Sequence, residues 1–269
     1  MPVTVQILPV SEMAIPLTSV YNHVGPYSKM LDTIQGKTTV EWSDGTVSEG
    51  VKHCGNAILI DDNGTKILVD TGIGDLKKIN NIKEKRGDRF YLRSLEPLDS
   101  QLDKLGVKKE CIDIVVNTHL HWDHIGGNLM YQNAMFIFPE DDLPYLLEAP
   151  PYASHFYKDL SDCVTKMKRP KPVKGNGWIS EHVRFMQFGG HSPGSLVLFV
   201  ETKIGTVAIA ADTICRYENW KTKWIGPSGN FWNMSELERA YDVIAKEADI
   251  IIPGHDWKVL DYYPNGIVV

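Results

Sequence analysis

The chain has 269 residues, 43% of them hydrophobic and 23% charged, a composition typical of a folded globular protein and not of a disordered one. Its formal charge of −6 argues against a nucleic-acid-binding protein, which usually carries a basic excess. No stretch approaches the roughly 20 apolar residues of a membrane-spanning helix, and the first residues lack the basic and apolar regions of a signal peptide.

The first part of the chain combines strand patterns with a segment that has no clear period. Residues 3–9 alternate like a strand, whereas 14–50 are mixed and turn-rich, and we interpret them as an N-terminal insertion. Within 56–70, two apolar runs flank Asn63-Gly64, the strongest short signal for a β-hairpin.

The middle of the chain alternates predicted helices and strands. Spacing over 95–105 predicts a helix, and the apolar run 111–117 predicts a strand buried on both faces. A further strand is expected at 134–138, and 140–170 reads as helical. The segment 166–177 is basic and rich in Pro and Gly. We interpret it as a solvated loop, with a substrate-facing loop as the alternative.

The last part resumes the strand pattern. Strands are predicted at 183–188, 196–201, 205–211 and 249–253, and a helix at 234–247 with Ser235 as its N-cap. We find no linker and no repeat of fixed period, so we expect one α/β domain over 1–269.

Three imidazoles and one carboxylate are concentrated in the hexapeptide 119–124, HLHWDH. These ligands suit zinc, iron, manganese and cobalt. On an extended loop, His119 and His121 can point the same way. Asp123 and His124 follow where the chain turns into a helix, and they can reach a second position nearby. Two metals about 3.5–4 Å apart are the usual hydrolytic arrangement.

Three distant residues complete the candidate site, and each lies at or just beyond the end of a predicted strand. His191 lies in a GGHSPG loop, Asp212 ends the run TVAIAAD, and His255 follows IIIPG. An α/β sheet gathers its site residues along such an edge. Asp212 has two oxygens and can bridge two cations. Structural zinc prefers closed, Cys-rich sites, and this set contains no cysteine, which favours a catalytic metal.

The pattern HxHxDH, followed by these three residues, resembles the metallo-β-lactamase superfamily. The resemblance spans residues 55 to 257 and includes the motif DTG at Asp70. It implies a four-layer αββα sandwich with the site along one edge. It also implies that one metal is held by His119, His121 and His191, a second by Asp123, His124 and His255, and that Asp212 bridges them.

Two branches of the superfamily compete. The chain resembles the N-acyl homoserine lactone lactonase-like branch in three features. These are the long N-terminal segment before the HxHxDH motif, the GHSPGS loop and the PGHD sequence at His255. Glyoxalase II, a thioester hydrolase, has similar ligands but carries a helical region after the last histidine, and here 14 residues follow. True β-lactamases usually lack the Asp123 ligand and place a cysteine where Asp212 stands.

One position departs from the lactonase pattern. Those enzymes commonly have a tyrosine three residues after the bridging aspartate, where this chain has Cys215, and Tyr217 is the candidate substitute. The resemblance implies two divalent ions, zinc being the expected metal and manganese, iron or cobalt the alternatives. A hydroxide bridging them would open a lactone or related cyclic ester, with Asp123, Asp212 and Tyr217 as candidate catalytic residues.

The expected binding partner is a small-molecule ester or lactone substrate. Neither a nucleic acid nor a membrane is expected as a partner. The sequence also contains two groups of aromatic residues. They could belong to the core, form a homodimer interface, or line an apolar pocket for an acyl chain or an aromatic ring. The first group is Trp220, Trp224, Phe231 and Trp232, and the second is Tyr152, Phe156 and Tyr157. The remaining histidines, His23, His53, His155 and His182, are predicted to be structural or at the surface.

The four cysteines are scattered without a CxxC pair, so reduced thiols and a cytoplasmic location are expected. The competing functions are a thioester hydrolase or another metal-dependent esterase, a nuclease, an iron redox enzyme and a non-catalytic metal-dependent binding protein.

Overall fold

The computed structural model describes residues 3–21, 34, 36–41, 45–86, 90–151, 153–157, 160–221 and 230–269, without the side chains of residues 86, 155 and 221. Within this part of the chain the strands form two sheets. The strands of the first sheet are β1 (Thr4–Pro16), β2 (Lys37–Glu41), β3 (Val47–Asp62), β4 (Thr65–Val69), β5 (Leu92–Ser94), β6 (Ile114–Val116), β7 (Met135–Pro139) and β8 (Pro170–Val173). Their order is β5-β1-β3-β4-β6-β7-β8, with β2 paired to β3.

The second sheet is smaller and lies later in the chain. Its strands are β9 (Asn176–Trp178), β10 (Val183–Gln187), β11 (Leu196–Thr202), β12 (Gly205–Ala211) and β13 (Ile250–Pro253), in the order β13-β12-β11-β10-β9. Strands β4, β6, β7 and β8 run parallel to one another, as do β12 and β13, and the remaining pairs are antiparallel.

The helices are short, apart from two. They are α1 (Leu17–Val20), α2 (Leu76–Arg86), α3 (Leu98–Lys104), α4 (Trp122–Ile125), α5 (Leu143–Leu147), α6 (Ser154–Tyr157), α7 (Asp162–Thr165), α8 (Tyr217–Lys221), α9 (Met234–Glu247) and α10 (Lys258–Tyr262). In the described part of the chain, no helix is long and apolar enough to cross a membrane.

The period-two alternation of the strands separates three hydrophobic clusters. In β4, Ile67 and Val69 enter the core between the two sheets, while Leu68 faces the outer side, where α2 and α3 pack. In β11, Leu198 faces the other sheet and Phe199 faces α9. The order of layers is therefore helix, sheet, sheet, helix. This confirms the predicted αββα sandwich.

The segment 14–50 is more regular than its sequence indicates. Strand β1 continues to Pro16 and pairs with β3 over its whole length, and β2 adds a further strand to β3. Leu17, Val20 and Val51 form a small cluster of their own beside this extension. The predicted insertion thus lengthens the first sheet, as far as the structure describes it.

Three local predictions are wrong. The 140–170 region is not one helical stretch, because it contains the separate short helices α5, α6 and α7, with Pro150 and Pro151 between α5 and α6. Helix α9 is capped by Asn233, whose side chain accepts a hydrogen bond from the Glu236 N–H, and not by Ser235. The basic segment 166–177 contains the exposed edge strand β8 and the start of β9.

Both sheets contribute to one edge of the sandwich. The loop after β6 carries the hexapeptide 119–124, and the loops after β10, β12 and β13 carry His191, Asp212 and His255. The first loop belongs to the first sheet and the other three to the second. The candidate site is therefore assembled across the interface between the sheets.

Candidate metal centre

The turn that follows β4 supports the loop with the HxHxDH motif. Gly74 has a φ of +64°, and a Cβ at this position would lie 2.1 Å from the carbonyl oxygen of Gly126. Only glycine fits such a close approach between two backbones. The contact fixes the end of α4, and with it the loop before it, against the DTG turn.

Three histidines form the first group of possible ligands. His119, His121 and His191 each present a ring nitrogen, and these nitrogens lie within 4.8 Å of one another. Nε2 of His191 lies 3.0 Å from Nδ1 of His121. All three side chains are buried. The arrangement matches three ligands of one metal ion.

A second group lies beside the first. Asp123, His124 and His255 also place one ligand atom each within 4.8 Å of the others. Nε2 of His124 and Nε2 of His255 are each 3.7 Å from Oδ2 of Asp123. Two imidazoles and a carboxylate are a ligand set typical of catalytic zinc.

Asp212 lies between the two groups. Its Oδ2 is 3.3 Å from Nε2 of His191, whereas its Oδ1 is 2.9 Å from Nε2 of His255 and 3.3 Å from Nε2 of His124. One oxygen thus faces each group, which is the geometry a bridging carboxylate requires. The residue before it, Ala211, has a φ of +44°, an unfavourable value for a side chain with a Cβ.

Asp70, in the DTG motif, orients two of the histidines. Its Oδ2 accepts hydrogen bonds from Nδ1 of His124 and from Oγ1 of Thr118, both at 2.8 Å. Because the Thr118 hydroxyl donates to Asp70, it accepts from Nδ1 of His119, 3.1 Å away. Both imidazoles are therefore held with Nε2 pointing into the cluster, as is usual for metal-ligating histidines.

Backbone carbonyls orient two further histidines. Nδ1 of His191 donates to the carbonyl of Asn230 at 2.9 Å, and Nδ1 of His255 donates to the carbonyl of Cys54 at 3.0 Å. Each bond directs the remaining nitrogen, Nε2, into the cluster. The motif in the sequence contains no sign of Asn230 or Cys54 as supporting residues.

Asp142 ties the two ligand-bearing loops together. Its buried carboxylate accepts hydrogen bonds from the Leu120 N–H at 3.0 Å, from the Gly194 N–H at 2.8 Å and from the Ser192 hydroxyl at 2.9 Å. Leu120 lies between two of the candidate ligands, and Ser192 follows a third. Asp142 thus fixes the loop of one sheet against the loop of the other.

Two imidazole nitrogens of the cluster lack hydrogen-bond partners in the described part of the chain, and a bound metal ion would replace such partners. Nε2 of His119 and Nε2 of His124 are buried, and neither has a hydrogen-bond partner among the residues described. Leaving such atoms unpaired is costly, and a cation would satisfy both. The cluster consists of seven imidazole and carboxylate side chains and contains no cysteine. Hard and borderline divalent ions prefer ligands of these types.

The charges of the cluster favour a bound cation. Burial lowers the pKa of His124, but the carboxylates of Asp123 and Asp70 outweigh burial and hold this pKa well above its usual value. Burial would raise the pKa of Asp212, yet His255 and His124 hold it well below its usual range. The carboxylates therefore stabilise positive charge inside the cluster.

Known proteins resemble this chain in sequence and in fold. A family model described as the metallo-beta-lactamase superfamily matches residues 54–136, which contain Asp70 and the hexapeptide. An N-acyl homoserine lactonase of Bacillus cereus is 27% identical over 202 residues, covering 71% of this chain and 76% of that protein. These matches show that the chain resembles the metallo-β-lactamase superfamily. Within it, the chain resembles the lactonase-like branch.

Solved structures of the superfamily share the fold. An N-acyl homoserine lactone hydrolase with N-hexanoyl-L-homoserine bound at its catalytic metal centre has a TM-score of 0.73 and 22% identity, covering 97% of both chains. The dizinc quorum-quenching lactonase AidC has a TM-score of 0.70 and 18% identity, covering 98% of this chain and 89% of that one. The family-model match, the lactonase relatives and the ligand cluster together support a metal-dependent hydrolase that acts on ester bonds.

Tyr217 does not lie where its expected role requires. Its hydroxyl donates to the carbonyl of Ile251 at 3.1 Å, and its ring packs edge-on against Tyr262 at 5.0 Å in the core between the sheets. The prediction that Tyr217 replaces the usual tyrosine of the branch is therefore not supported. Cys215, by contrast, lines a cavity at the ligand cluster beside Asp212 and His255.

An aromatic cavity adjoins the first group of ligands. Its volume is about 190 Å³, and it reaches His121 and His191. The aromatic residues that line it are Tyr145, Phe156, Tyr157, Phe231 and Trp232. The ring of Phe156 stacks on His121 with centroids 4.6 Å apart. Trp220 packs instead against Tyr241 in the core beside α9.

The remaining sequence predictions have mixed outcomes. His182 lies near the surface and is paired with Asp62 at 2.8 Å, as predicted. His53 lies in the second cavity at the ligand cluster, where it stacks on His255. Tyr152, Trp224 and His23 lie outside the described residues, as does the side chain of His155. None of the four cysteines forms a disulfide bond.

Proposed function

We propose that this protein opens a lactone ring with two divalent metal ions, zinc being the expected metal. The observation that carries the proposal is the position of Asp212, whose two oxygens face two separate groups of ligands. A single closed metal site would not need seven ligands on both sides of one carboxylate. The lactone follows from the lactonases among the relatives and structural neighbours.

We assign the first metal to His119, His121 and His191 and the second to the other group, with Asp212 shared. The second group consists of Asp123, His124 and His255. Two such ions, when bound, lower the pKa of a coordinated water and polarise a carbonyl. All of these side chains are buried or half-buried, so the site excludes most solvent.

The protein's own groups hold this site in position. Asp70 and Asp142 fix the loops, and the carbonyls of Asn230 and Cys54 fix two imidazoles from behind. A site fixed in this way does not have to reorganise as charge develops on the substrate. As a ligand, Asp123 has its basicity already committed, and we assign it to positioning and not to proton transfer.

The aromatic cavity indicates the other part of the substrate. It opens beside His121 and His191 and is lined mainly by rings, with Phe156 stacked on the imidazole of His121. An acyl chain or an aromatic group fits such a surface, because burying apolar area is favourable and the cavity provides few polar partners. We therefore expect a lactone with an apolar substituent.

The test compares one metal-replete preparation with a substrate panel. N-hexanoyl-homoserine lactone, a simple γ-lactone, a thioester and a linear ester are assayed after elemental analysis of the protein. We expect two equivalents of metal per chain and the highest kcat/KM for the acylated lactone. A preference for the thioester would instead indicate a glyoxalase II-like hydrolase.

Chelation provides the control. Removal of the metals should abolish ring opening, and addition of zinc, manganese or cobalt should restore it. Undiminished hydrolysis by protein shown to be free of metal would refute the proposal. A variant of the remote surface histidine, His182→Gln, should show the wild-type activity, the same loss on chelation and the same recovery on metal addition.

A further inference from the structure

His53 is a buried histidine at the site to which the ligand assignment gives no role. It is 2% exposed and lies in the middle of β3. Neither of its ring nitrogens has a hydrogen-bond partner in the described part of the chain. Its ring stacks on His255, with centroids 5.2 Å apart and planes 16° from parallel.

His53 lines a second cavity, which adjoins the aromatic cavity. This second cavity has a volume of about 70 Å³ and reaches Asp123, Asp212 and His255. It shares Phe156, His121, His191 and Asn230 with the aromatic cavity, so the two meet at the ligand cluster. A substrate whose apolar arm lies in the aromatic cavity therefore extends its other end toward His53.

The chemistry of this second cavity is more polar. A neutral imidazole has one N–H donor and one acceptor nitrogen, and within the described part of the chain neither nitrogen of His53 has a partner. The sulfur of Cys215 and the side chains of Met13 and Ile15 also line the cavity. Thiol and thioether sulfur are weak hydrogen-bonding groups, so on this side His53 and the hydroxyl residue Ser19 are the stronger polar groups.

We propose that His53 is a substrate-binding residue that hydrogen-bonds the polar head of the substrate, the part that carries the ester. The proposal rests on the proposed function, since it assumes that an ester binds at the ligand cluster. It explains an otherwise costly arrangement, because a buried imidazole without partners destabilises the folded protein. Binding of a polar group satisfies the ring and favours substrates with a hydrogen-bonding head.

The decisive variant is His53→Phe. Phenylalanine keeps an aromatic ring to stack on His255 but removes both nitrogens. Because the ring nitrogens are unpaired in the folded protein, their removal should leave Tm unchanged or raise it. We expect the variant to bind the same number of metal ions and to lose about tenfold in kcat/KM for N-hexanoyl-homoserine lactone.

A second variant and a binding measurement complete the test. His53→Gln retains a donor and an acceptor, and it should recover part of the lost kcat/KM. Calorimetric affinity of the metal-loaded protein for N-hexanoyl-homoserine should fall in His53→Phe and be partly restored in His53→Gln. A purely structural histidine would produce the opposite pattern, with a lower Tm and unchanged kinetics.

The outcomes separate this inference from the proposed function. If the wild type opens the lactone and His53→Phe has the same kcat/KM and product affinity, the inference is wrong and the proposed function stands. If metal-replete wild type opens no ester or lactone, both are wrong. His53→Leu replaces His53→Phe if the larger ring prevents folding.

Discussion

Nδ1 of His124 donates a hydrogen bond to Oδ2 of Asp70 at 2.8 Å, although the two residues are 54 positions apart in the chain. The same carboxylate accepts from the N–H and the hydroxyl of Thr118, the residue before His119. The aspartate of the DTG motif therefore orients one imidazole in each of the two groups of possible ligands.

Asp70→Asn should weaken metal binding. An asparagine amide at this position would place a donor against the donors of His124 or Thr118, and both imidazoles would lose their fixed orientation. We expect the affinity for zinc to fall about 10- to 100-fold. Competition with a chelator of known affinity measures the change. Asp62→Asn is the matched control, because Asp62 pairs with Nδ1 of His182 at the same distance of 2.8 Å.

Asp142→Asn should destabilise the fold and loosen the metal site together. The carboxylate accepts three hydrogen bonds with two oxygens, and an amide group would turn a donor toward at least one of these donors. We expect the free energy of unfolding to fall by about 2–3 kcal/mol, the range for bonds to a charged group. Urea unfolding measures it.

Asp141→Asn is the control for this change. Asp141 is the neighbouring carboxylate, it is partly exposed, and it pairs with Lys174 at 2.9 Å. Exposed ion pairs contribute little, so this variant should lie within about 1 kcal/mol of the wild type. Equal losses in the two variants would show that Asp142 does not specifically join the loops.

His182 and Asp62 should make part of the stability depend on pH. The hydrogen bond to Asp62 raises the pKa of His182. Burial would raise the pKa of Asp62, but the backbone N–H and the ring of His182 hold it below its usual value. The contribution of His182 is complete below about pH 6.5, its unfolded value, and is lost as pH rises through the folded value. The contribution of Asp62 is lost as pH falls below about 4.

Unfolding of wild type and His182→Gln over a range of pH tests this assignment. The stability difference between the two proteins should be largest near pH 5 and should shrink between pH 6 and 8. A difference that stays constant over this range would show that the pair does not depend on a protonated imidazole.

Trp232→Ala should alter substrate preference more than turnover of small substrates. Trp232 lines the aromatic cavity and packs edge-on against Tyr145 at 4.9 Å. Loss of the ring removes apolar contact with a long acyl chain but not with a short one, so kcat/KM should fall about tenfold for decanoyl lactones and little for butanoyl lactones.

Trp178→Ala is the control. Trp178 is 56% exposed on β9 and does not line either cavity at the ligand cluster. It should leave the dependence on chain length unchanged. A parallel loss for short and long chains in Trp232→Ala would mean that the acyl group binds elsewhere.

The sequence predicts the ligand groups well because their spacing is local or tied to strand ends. His119 and His121 lie in the loop after β6 and His124 in the helix directly after it, whereas Asp212 and His255 follow apolar runs that form buried strands. The roles of these residues as ligands stay a prediction, whereas their convergence is a property of the fold.

Other parts of the site have no local signal. Asp142 and His53 act through residues that are distant in sequence, and Asn230 contributes only a backbone carbonyl. Tyr217 is close to Asp212 in the sequence, and this proximity suggests a place at the site. The chain enters α8 at this point, however, and the ring turns into the core between the sheets.

The assembly of one site from two sheets also constrains how the protein acquires its metals. The hexapeptide loop is made early, His191 and Asp212 follow in turn, and His255 comes only after the last strand of the second sheet. Closing such long loops is slow, and the donors converge only when the sheets dock. We therefore expect tight metal binding to follow docking of the two sheets and not to precede it. The metal available at that moment should then determine which ion is bound.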